Sequence, residues 1–178
     1  MIAIGGGGYV PARILRSFLK RPSSPNIPIQ AIGLSLYESL PSTDPSAPTT
    51  PVETPGTKVT RTQWLDFSSL SLENMVGKNV LIVDEVDDTR TTLEYAVREL
   101  EKDVDSIRRD MGPEGNTRFY IFVLHNKDKP KKGHLPQDMV DKGRYLAAET
   151  VQDVWINYPW EATFVDQCLS MINFGPAG

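Results

Sequence analysis

"VLIVDEVDDTRTT", residues 80–92, joins four apolar residues to a cluster of acids and then to hydroxyl and cationic side chains. Continuous apolar runs of this kind are typical of central parallel strands, which are covered on both faces. The acids Asp84, Glu85, Asp87 and Asp88 stand at the carboxyl end of the predicted strand. Because ligands of α/β sheets bind beyond the carboxyl ends of the strands, the segment predicts a binding site in such a sheet.

Strand patterns recur on both sides of this segment. A short strand and a glycine turn open the chain, and a helix with Pro11 in its first turn follows them. Further strands are predicted at 27–37, 58–67, 118–126 and 144–151, and 153–161 supplies weaker strand or loop material. Strands that alternate with helices predict an α/β fold, with a central, mainly parallel sheet flanked by helices.

The segment runs directly into a predicted helix. From Leu93 onward apolar residues recur every three or four positions, as on one face of a helix. Thr91 and Glu94 have the spacing of a capping box, and Gly112 with Pro113 ends the pattern. The acidic cluster therefore lies between a buried strand and a helix N-terminus.

Composition and length predict one soluble domain over residues 1–178. Hydrophobic residues make up 39% of the chain, and a formal net charge of −4 argues against a non-specific nucleic-acid binder. No apolar run approaches the roughly 20 residues of a membrane span. The single cysteine, Cys168, excludes an internal disulfide framework and fits a reducing compartment. We predict a cytoplasmic protein without nucleic-acid or membrane partners.

Two segments depart from the pattern of a compact domain. "MIAI" at residues 1–4 reads as the tail of a buried strand, which predicts that an N-terminal segment is missing. Five prolines between positions 41 and 55 exclude regular structure there. We predict a flexible, proline-rich flap at 39–57.

The acidic cluster suits a sugar, a metal ion and a phosphate. Neighbouring carboxylates repel one another, so Asp84 and Glu85 make most sense as acceptors for vicinal ribose hydroxyls and as ligands that help to hold Mg²⁺. Residues 88–92 enter a helix N-terminus, where free amides and hydroxyl side chains favour a phosphate. The alternative is that these residues are helix caps and solvated loop acids.

Residues 80–92 resemble the phosphoribosyl-pyrophosphate signature of the type I phosphoribosyltransferases. The resemblance implies that Asp84 and Glu85 bind ribose and metal, and that Asp88 is the general base toward the purine. It assigns the 5′-phosphate to Asp88, Thr89, Arg90, Thr91 and Thr92. Many members have glycine where this chain has Arg90, so either the loop does not readily adopt a positive φ, or Arg90 adds charge to phosphate binding. Asp87 receives no role.

The glycine run "GGGG", residues 5–8, is weak evidence alone. A dinucleotide fingerprint needs G-x-G-x-x-G and a later acid, so a tight structural turn is an equal interpretation. Beside the first motif the run resembles the pyrophosphate loop of the family, which implies that Gly6, Gly7 and Gly8 bind pyrophosphate. Tyr37 and Arg61, on either side of the flap, are further pyrophosphate candidates.

Two segments near the C-terminus resemble the purine site of the 6-oxopurine branch. In "LHNKDKPKKG", residues 124–133, Lys127 is the first candidate and Lys129 the second to read the base oxygen, although basic runs are usually solvated. "DVWINYPWE", residues 153–161, resembles the base-binding tail of xanthine-guanine enzymes. The resemblance implies that Trp155 stacks on the purine, that the backbone of Ile156 reads its edge and that Glu161 joins the metal site. Core packing is the alternative for Trp155.

The resemblance implies a purine-salvage enzyme similar to the fungal hypoxanthine-guanine group. It implies a Mg²⁺-dependent homodimer, with a small C-terminal hood over the base, which converts a 6-oxopurine and phosphoribosyl pyrophosphate to a nucleotide and pyrophosphate. Hypoxanthine, guanine and xanthine remain open. One rival is a non-catalytic regulator of the same fold, which usually lacks the base-reading Lys and Trp. A signalling receiver domain is another, but its acids come from separate strands.

Overall fold

The fold is a mixed β-sheet with helices packed against it. The computed structural model describes residues 1–38, 54–65, 75–111 and 116–161, with the backbone alone for 37, 38, 54–58, 107 and 109–111. Its strands are β1 (Ile2–Ile4), β2 (Gln30–Glu38), β3 (Thr54–Gln63), β4 (Asn79–Asp87), β5 (Arg118–Lys127) and β6 (Tyr145–Val151). Its helices are α1 (Tyr9–Leu19), α2 (Thr91–Met111) and α3 (Gln137–Asp141).

The strand order is β3-β2-β1-β4-β5-β6. Every neighbouring pair is parallel except β2 and β3, which are antiparallel at one edge of the sheet. This arrangement confirms the predicted α/β fold with a mainly parallel sheet. The carboxyl ends of β1, β2, β4 and β5 consequently point toward the same edge, where the glycine run and the acidic cluster leave the sheet.

Strand β4 occupies the centre of the sheet, as its apolar run predicted. It pairs with β1 on one side, where Ile2 aligns with Ile82, and with β5 on the other, where Asp84 aligns with Val123. Ile82 and Val83 are fully buried on opposite faces. Complete burial of such a side chain contributes roughly 1.5–3 kcal/mol, so the strand that delivers the acids is among the most firmly held parts of the fold.

Helix α2 buries the apolar face that its sequence pattern predicted. Leu93, Val97, Leu100 and Val104 are all in the main hydrophobic cluster. The predicted capping box is wrong by one residue, because the first carbonyl of the helix belongs to Arg90, which accepts from the amide of Glu94 at 2.9 Å. Thr91 therefore lies inside the first turn rather than at the cap.

Helix α1 is confirmed, but it contacts the sheet through small residues. Pro11 and Ala12 are buried, whereas Ile14 and Phe18, which helped to predict the helix, are 54% and 82% exposed. The helix starts at a point where the backbone of Gly8 touches the backbone of β1 and β4. Where the helix approaches the sheet most closely there is room for small side chains, so Ile14 and Phe18 face outward, while Leu15 packs against the cluster of Ala3, Ala12 and Val83.

The flap and the C-terminal segment differ from their predicted structure in part. Strand β3 begins at Thr54, so residues 54–57 of the predicted flap are extended and pair with β2, while 39–53 lie outside the described residues. Residues 153–161 form an irregular segment, which is the loop alternative of the prediction, and 162–178 are outside the described part of the chain. In the described ranges no helix has the length and apolar character needed to cross a membrane.

Candidate active site

A cleft opens at the carboxyl ends of β1, β2 and β4. It collects residues from the glycine run, the acidic cluster, the N-terminus of α2 and the C-terminal segment. The predicted site residues that line it are Gly6, Gly7, Asp84, Glu85, Asp88, Thr89, Arg90, Thr92 and Glu161. Gly6 and Asp84, which are almost eighty positions apart in the sequence, thus meet in this cleft. The cleft lies between β1 and β4, where the chain connections change from one side of the sheet to the other, and this is the usual ligand position in such sheets.

The other predicted site residues that the structure describes in full do not line this cleft: Gly8, Arg61, Thr91, Lys127, Lys129, Trp155 and Ile156. The amide of Gly8 donates to the carbonyl of Ile4 at 3.0 Å, so it is committed within the turn. The hydroxyl of Thr91 lies 3.0 Å from that of Thr89. Arg61 forms an ion pair with Glu99 on α2. Its guanidinium also stacks over the ring of Trp64 and donates to Tyr95. For Tyr37 the structure gives the strand position, opposite Pro55, and no more.

Asp84 is a buried carboxyl group at the end of β4. Its Oδ1 accepts the amide of Glu85 at 2.9 Å, and its side chain is otherwise shielded from water. Burial raises the pKa of Asp84 to about 8, and the charges of Glu85 and Asp87 act in the same direction. Without a ligand the folded protein therefore holds a proton here at neutral pH, and a cation in the cleft would favour its release.

Asparagine at position 84 is expected to remove a pH-dependent loss of stability. In the unfolded chain the carboxyl of Asp84 has a pKa of about 3.9, whereas in the folded protein its pKa is about 8. Between these two values the folded state binds more protons than the unfolded state, so the folded state loses stability as the pH rises. Relative to wild type, Asp84→Asn should gain about 1–3 kcal/mol in unfolding free energy between pH 5 and pH 8. Urea denaturation without Mg²⁺ or substrate measures this, and parallel pH profiles would contradict it.

Glu85 is held by an aromatic pair that the sequence analysis did not single out. The indole N–H of Trp160 donates to Glu85 Oε2 at 2.8 Å, and the hydroxyl of Tyr158 donates to its carbonyl at 3.2 Å. The two rings stack with centroids 5.0 Å apart, and Nδ1 of His125 lies 2.8 Å from the Tyr158 hydroxyl. The pKa of Glu85 is raised to about 7, chiefly by burial; the nearby Glu161 acts in the same direction, and the hydrogen bond from Trp160 opposes both.

Gly7 leaves the space that the Glu85 carboxylate occupies. A Cβ at Gly7 would lie 1.7 Å from the carboxyl carbon of Glu85. The neighbouring Gly6 has a φ of +89°, which favours glycine for conformational reasons instead. The glycine turn and the acidic pair are therefore in direct contact, as a shared ligand site would require.

The carboxylates at this cleft fit a Mg²⁺ ion that is also bound by a substrate. Across the described ranges no three metal-ligating side chains are grouped closely enough to hold a metal ion alone. Mg²⁺ typically takes one or two protein carboxylates together with phosphate oxygens and water. Asp84 and Glu85 meet that requirement, and the crowding of Glu85 with Glu161 is a repulsion that a cation would relieve.

Asp88 lies against both candidate lysines. Its Oδ1 is 2.5 Å from Nζ of Lys129 and 3.5 Å from Nζ of Lys127. Both ammonium groups also contact Asp153, at 3.0 and 3.6 Å respectively. The hydrogen bond to Asp88 raises the pKa of Lys129. Neither lysine is a solvated surface residue, since the side chain of Lys127 is only 12% exposed and that of Lys129 23%.

Trp155 is exposed rather than part of the core. Its side chain is 84% accessible, so the alternative of core packing is wrong for this residue, although it applies to Tyr158 at 5%. Ile156, next along the chain, is half-buried. The exposed ring is free to stack on a ligand, as the resemblance implies, although single exposed hydrophobic side chains are common and Phe18 is similarly exposed.

Arg90 adopts the left-handed conformation, so the first of its two alternatives, a loop without a positive φ, is wrong. Its φ is +67°, and a conformation of this kind costs a residue with a side chain about 1–3 kcal/mol. Its guanidinium donates to Asp87, from Nε at 2.9 Å and from Nη2 at 2.8 Å. Asp87, which had no predicted role, is 1% exposed.

Comparison with known proteins identifies close relatives. Over 168 residues the chain is 56% identical to the hypoxanthine-guanine phosphoribosyltransferase of Schizosaccharomyces pombe, covering 94% of this chain and 78% of the relative. It is also 56% identical over 172 residues to xanthine phosphoribosyltransferase 1 of Saccharomyces cerevisiae, with coverages of 94% and 78%. The crystal structure of a purine phosphoribosyltransferase from Pyrococcus horikoshii shares the fold, with a TM-score of 0.53, 23% identity, and 92% and 77% of the two chains covered. No family model matches the chain.

Proposed function

The chain belongs to the purine phosphoribosyltransferases, and from that membership we propose that it transfers a phosphoribosyl group from phosphoribosyl pyrophosphate to a 6-oxopurine in purine salvage. Hypoxanthine and guanine are the proposed bases and xanthine the third, since relatives named for each are equally identical to the chain. The observation that carries the proposal is this identity over 94% of the chain, and the acidic pair, the glycine turn and the threonine loop that meet around one cleft agree with it.

The sugar and its phosphates are proposed to bind at the carboxyl end of the sheet. Asp84 and Glu85 accept hydrogen bonds from the ribose hydroxyls, and residues 88–92 bind the 5′-phosphate through the free amides of the helix start and the threonine hydroxyls. The amides of Gly6 and Gly7 bind pyrophosphate. This last role is supported by their position on the cleft and by the absence of any backbone partner for either amide within the described residues.

The purine is proposed to lie between the 88–92 loop and the C-terminal segment. Lys127, with Lys129 as the second candidate, donates to the 6-oxo group, while Trp155 stacks on the ring and the backbone of Ile156 reads its edge. Asp88 accepts the proton that the five-membered ring releases as the new glycosidic bond forms. Support comes from the contact of Asp88 with both lysines and from the exposure of the Trp155 ring.

Mg²⁺ is the proposed cofactor: Asp84 and Glu85 would hold it together with the substrate, and Glu161, beside Glu85, is the further candidate ligand. When bound, the ion supplies positive charge that neutralises the pyrophosphate leaving group. The residues of this chain supply the rest: the two acids hold the ribose and favour the positive charge that develops on it, and the glycine amides receive the departing oxygens.

A cytoplasmic homodimer is proposed as the working form. The single cysteine fits a reducing compartment. Phe18 and Ile14 on α1 are exposed at 82% and 54%, and neighbouring apolar side chains of this kind are typical of protein–protein contacts.

The proposal is tested by a spectrophotometric assay of the purified chain with Mg²⁺ and phosphoribosyl pyrophosphate. Hypoxanthine, guanine, xanthine and adenine are offered separately. The expected result is nucleotide formation with at least one 6-oxopurine and little with adenine, because an ammonium group donates to a carbonyl and not to an exocyclic amine. Absence of nucleotide with every base would contradict the function, and a preference for adenine would contradict the lysine assignment.

A further inference from the structure

The carboxylate of Asp87 is the centre of a buried polar network beside the proposed phosphate loop, residues 88–92. Its side chain is completely shielded from solvent. Oδ2 accepts three hydrogen bonds, two from the guanidinium of Arg90 at 2.8 and 2.9 Å and one from the hydroxyl of Tyr145 at 2.6 Å. Oδ1 lies 3.6 Å from the ammonium of Lys131. The side chains of Arg90, Lys131 and Tyr145 thus all lie close to the carboxylate of Asp87.

This network holds the backbone of Arg90 in its left-handed conformation. The guanidinium is fixed from two directions, by the carboxylate of Asp87 and by the ring of Tyr145, whose centroid lies 4.9 Å away. At a φ of +67° the carbonyl of Arg90 accepts the amide of Glu94 and begins α2. The amides that follow position 90 are the ones proposed to face the phosphate, so their direction depends on this one residue.

A second segment clamps the same loop from another side. The ammonium of Lys131 donates to three carbonyls, those of Asp87, Asp88 and Lys127, at 2.7, 3.0 and 2.8 Å. The amides at positions 132 and 133 both donate to the carbonyl of Thr89 at 3.0 Å. At Gly133 a Cβ would lie 2.5 Å from the carbonyl oxygen of Arg90, so the two backbones touch. The loop is therefore fixed before any ligand binds.

We propose that Asp87 and Arg90 are positioning residues that hold the 88–92 loop ready for the 5′-phosphate. In this proposal Arg90 acts through the backbone geometry that its pairing with Asp87 maintains, and its guanidinium does not bind phosphate. The proposal rests on the assignment of residues 88–92 to the 5′-phosphate. It gives Asp87 a role, and it explains how a residue with a side chain occupies a position where glycine would be free of strain.

Two substitutions at one position separate backbone geometry from the guanidinium. Arg90→Ala and Arg90→Gly both remove the cation, but only glycine adopts a positive φ without cost. Arg90→Ala is expected to raise the KM for phosphoribosyl pyrophosphate and the Kd for guanosine 5′-monophosphate about tenfold, with Arg90→Gly raising both by at most about threefold and kcat changing little in either. Equal rises in the two variants, or no rise in the alanine variant, would overturn the proposal.

The role of Asp87 is tested by rescue. Asp87→Asn should raise both the KM for phosphoribosyl pyrophosphate and the Kd for guanosine 5′-monophosphate about tenfold. In the double variant Asp87→Asn, Arg90→Gly both values should return to within about threefold of wild type, because glycine adopts the positive φ without the ion pair to Asp87. A double variant as weak as Asp87→Asn overturns the proposal, as does a loss of thermal stability without a change in Kd.

The two readouts distinguish this proposal from the proposed function. A wild-type chain that forms no nucleotide contradicts the proposed function alone, because calorimetric titration still measures how tightly the loop of each variant binds guanosine 5′-monophosphate. A wild-type chain that does not bind this nucleotide overturns the positioning role as well.

Discussion

Asp88→Asn is expected to lower kcat by about 10²–10⁴-fold while the KM for phosphoribosyl pyrophosphate changes by less than about threefold. Asparagine keeps the size of the side chain, and the backbone amide of position 88 stays in the phosphate loop. What the amide side chain lacks is the capacity to accept a proton from the purine ring as the glycosidic bond forms. The loss should therefore fall on the chemical step and not on the binding of the phosphorylated sugar.

Asp153 offers a matched control for this substitution. It contacts the same two ammonium groups, at 3.0 Å from Lys129 and 3.6 Å from Lys127, but it has no proposed contact with the substrates. Asp153→Asn should lower kcat by less than about threefold, since the carboxylate that it removes is half-exposed and both lysines keep Asp88 as a partner. Steady-state kinetics with saturating base measure both variants. An unchanged kcat in Asp88→Asn, or equal losses in the two, would remove Asp88 from the catalytic role.

Gly8→Ala is expected to destabilise the whole fold. The added Cβ would lie 2.3 Å from the carbonyl oxygen of Val83 and 2.7 Å from that of Ile4, both main-chain atoms of central strands. Neither strand can move without breaking its pairing on the other side, so the clash is relieved only by displacing α1. We expect a loss of about 3 kcal/mol in unfolding free energy, or a fall in Tm of about 6–12 °C.

Gly6→Ala supplies the comparison, because it makes the same glycine-to-alanine change at a site only two positions from Gly8. No atom lies within 4 Å of a Cβ at Gly6, and only its φ of +89° opposes the substitution. The expected cost is about 1 kcal/mol, which corresponds to a fall in Tm of about 2–4 °C. Calorimetric melting of the two variants and wild type is the measurement. Losses of equal size would show that close backbone contact is not what excludes a side chain at Gly8.

The sequence predicted the parts of the fold and site that depend on local pattern. The apolar run before Asp84 predicted a central strand because only a doubly covered strand has so few polar residues. The spacing of Leu93, Val97 and Leu100 predicted the buried face of α2 in the same way. The glycine turn was assigned to the site of Glu85 through its resemblance to the pyrophosphate loop, and the two lie together because the carboxyl ends of parallel strands meet at one edge.

Contacts between distant residues were beyond such patterns. Trp160 and Glu85 are 75 positions apart, and nothing local to either indicates the hydrogen bond between them. Asp87 looked like one more acid, because its partner Tyr145 lies 58 positions later on β6. The left-handed conformation of Arg90 was misjudged for the same reason: intrinsic backbone preference argued against it, and the tertiary contacts that overcome this preference are invisible in the loop itself.

Arg61 is a predicted pyrophosphate residue that the structure pairs with another part of the fold and does not place on the cleft. It stands just beyond the proline-rich segment, close in sequence to the flap. In the fold β3 is the outermost strand, and its arginine turns toward Glu99 on α2. An ion pair between an edge strand and a helix stabilises the contact between them, and Gly6 and Gly7 remain the proposed pyrophosphate residues that line the cleft.

The three-residue strand β1 has a consequence for how the chain folds. It joins β2 to β4, and Ile2 meets Ile82 only after about eighty intervening residues, the proline-rich segment among them, have been enclosed. Enclosing a longer segment adds little to the equilibrium cost, roughly 0.6 kcal/mol for each doubling of its length. Folding rates, in contrast, fall with the mean sequence separation of contacts. Variation in the length of this segment should therefore alter the speed at which the sheet assembles far more than its final stability.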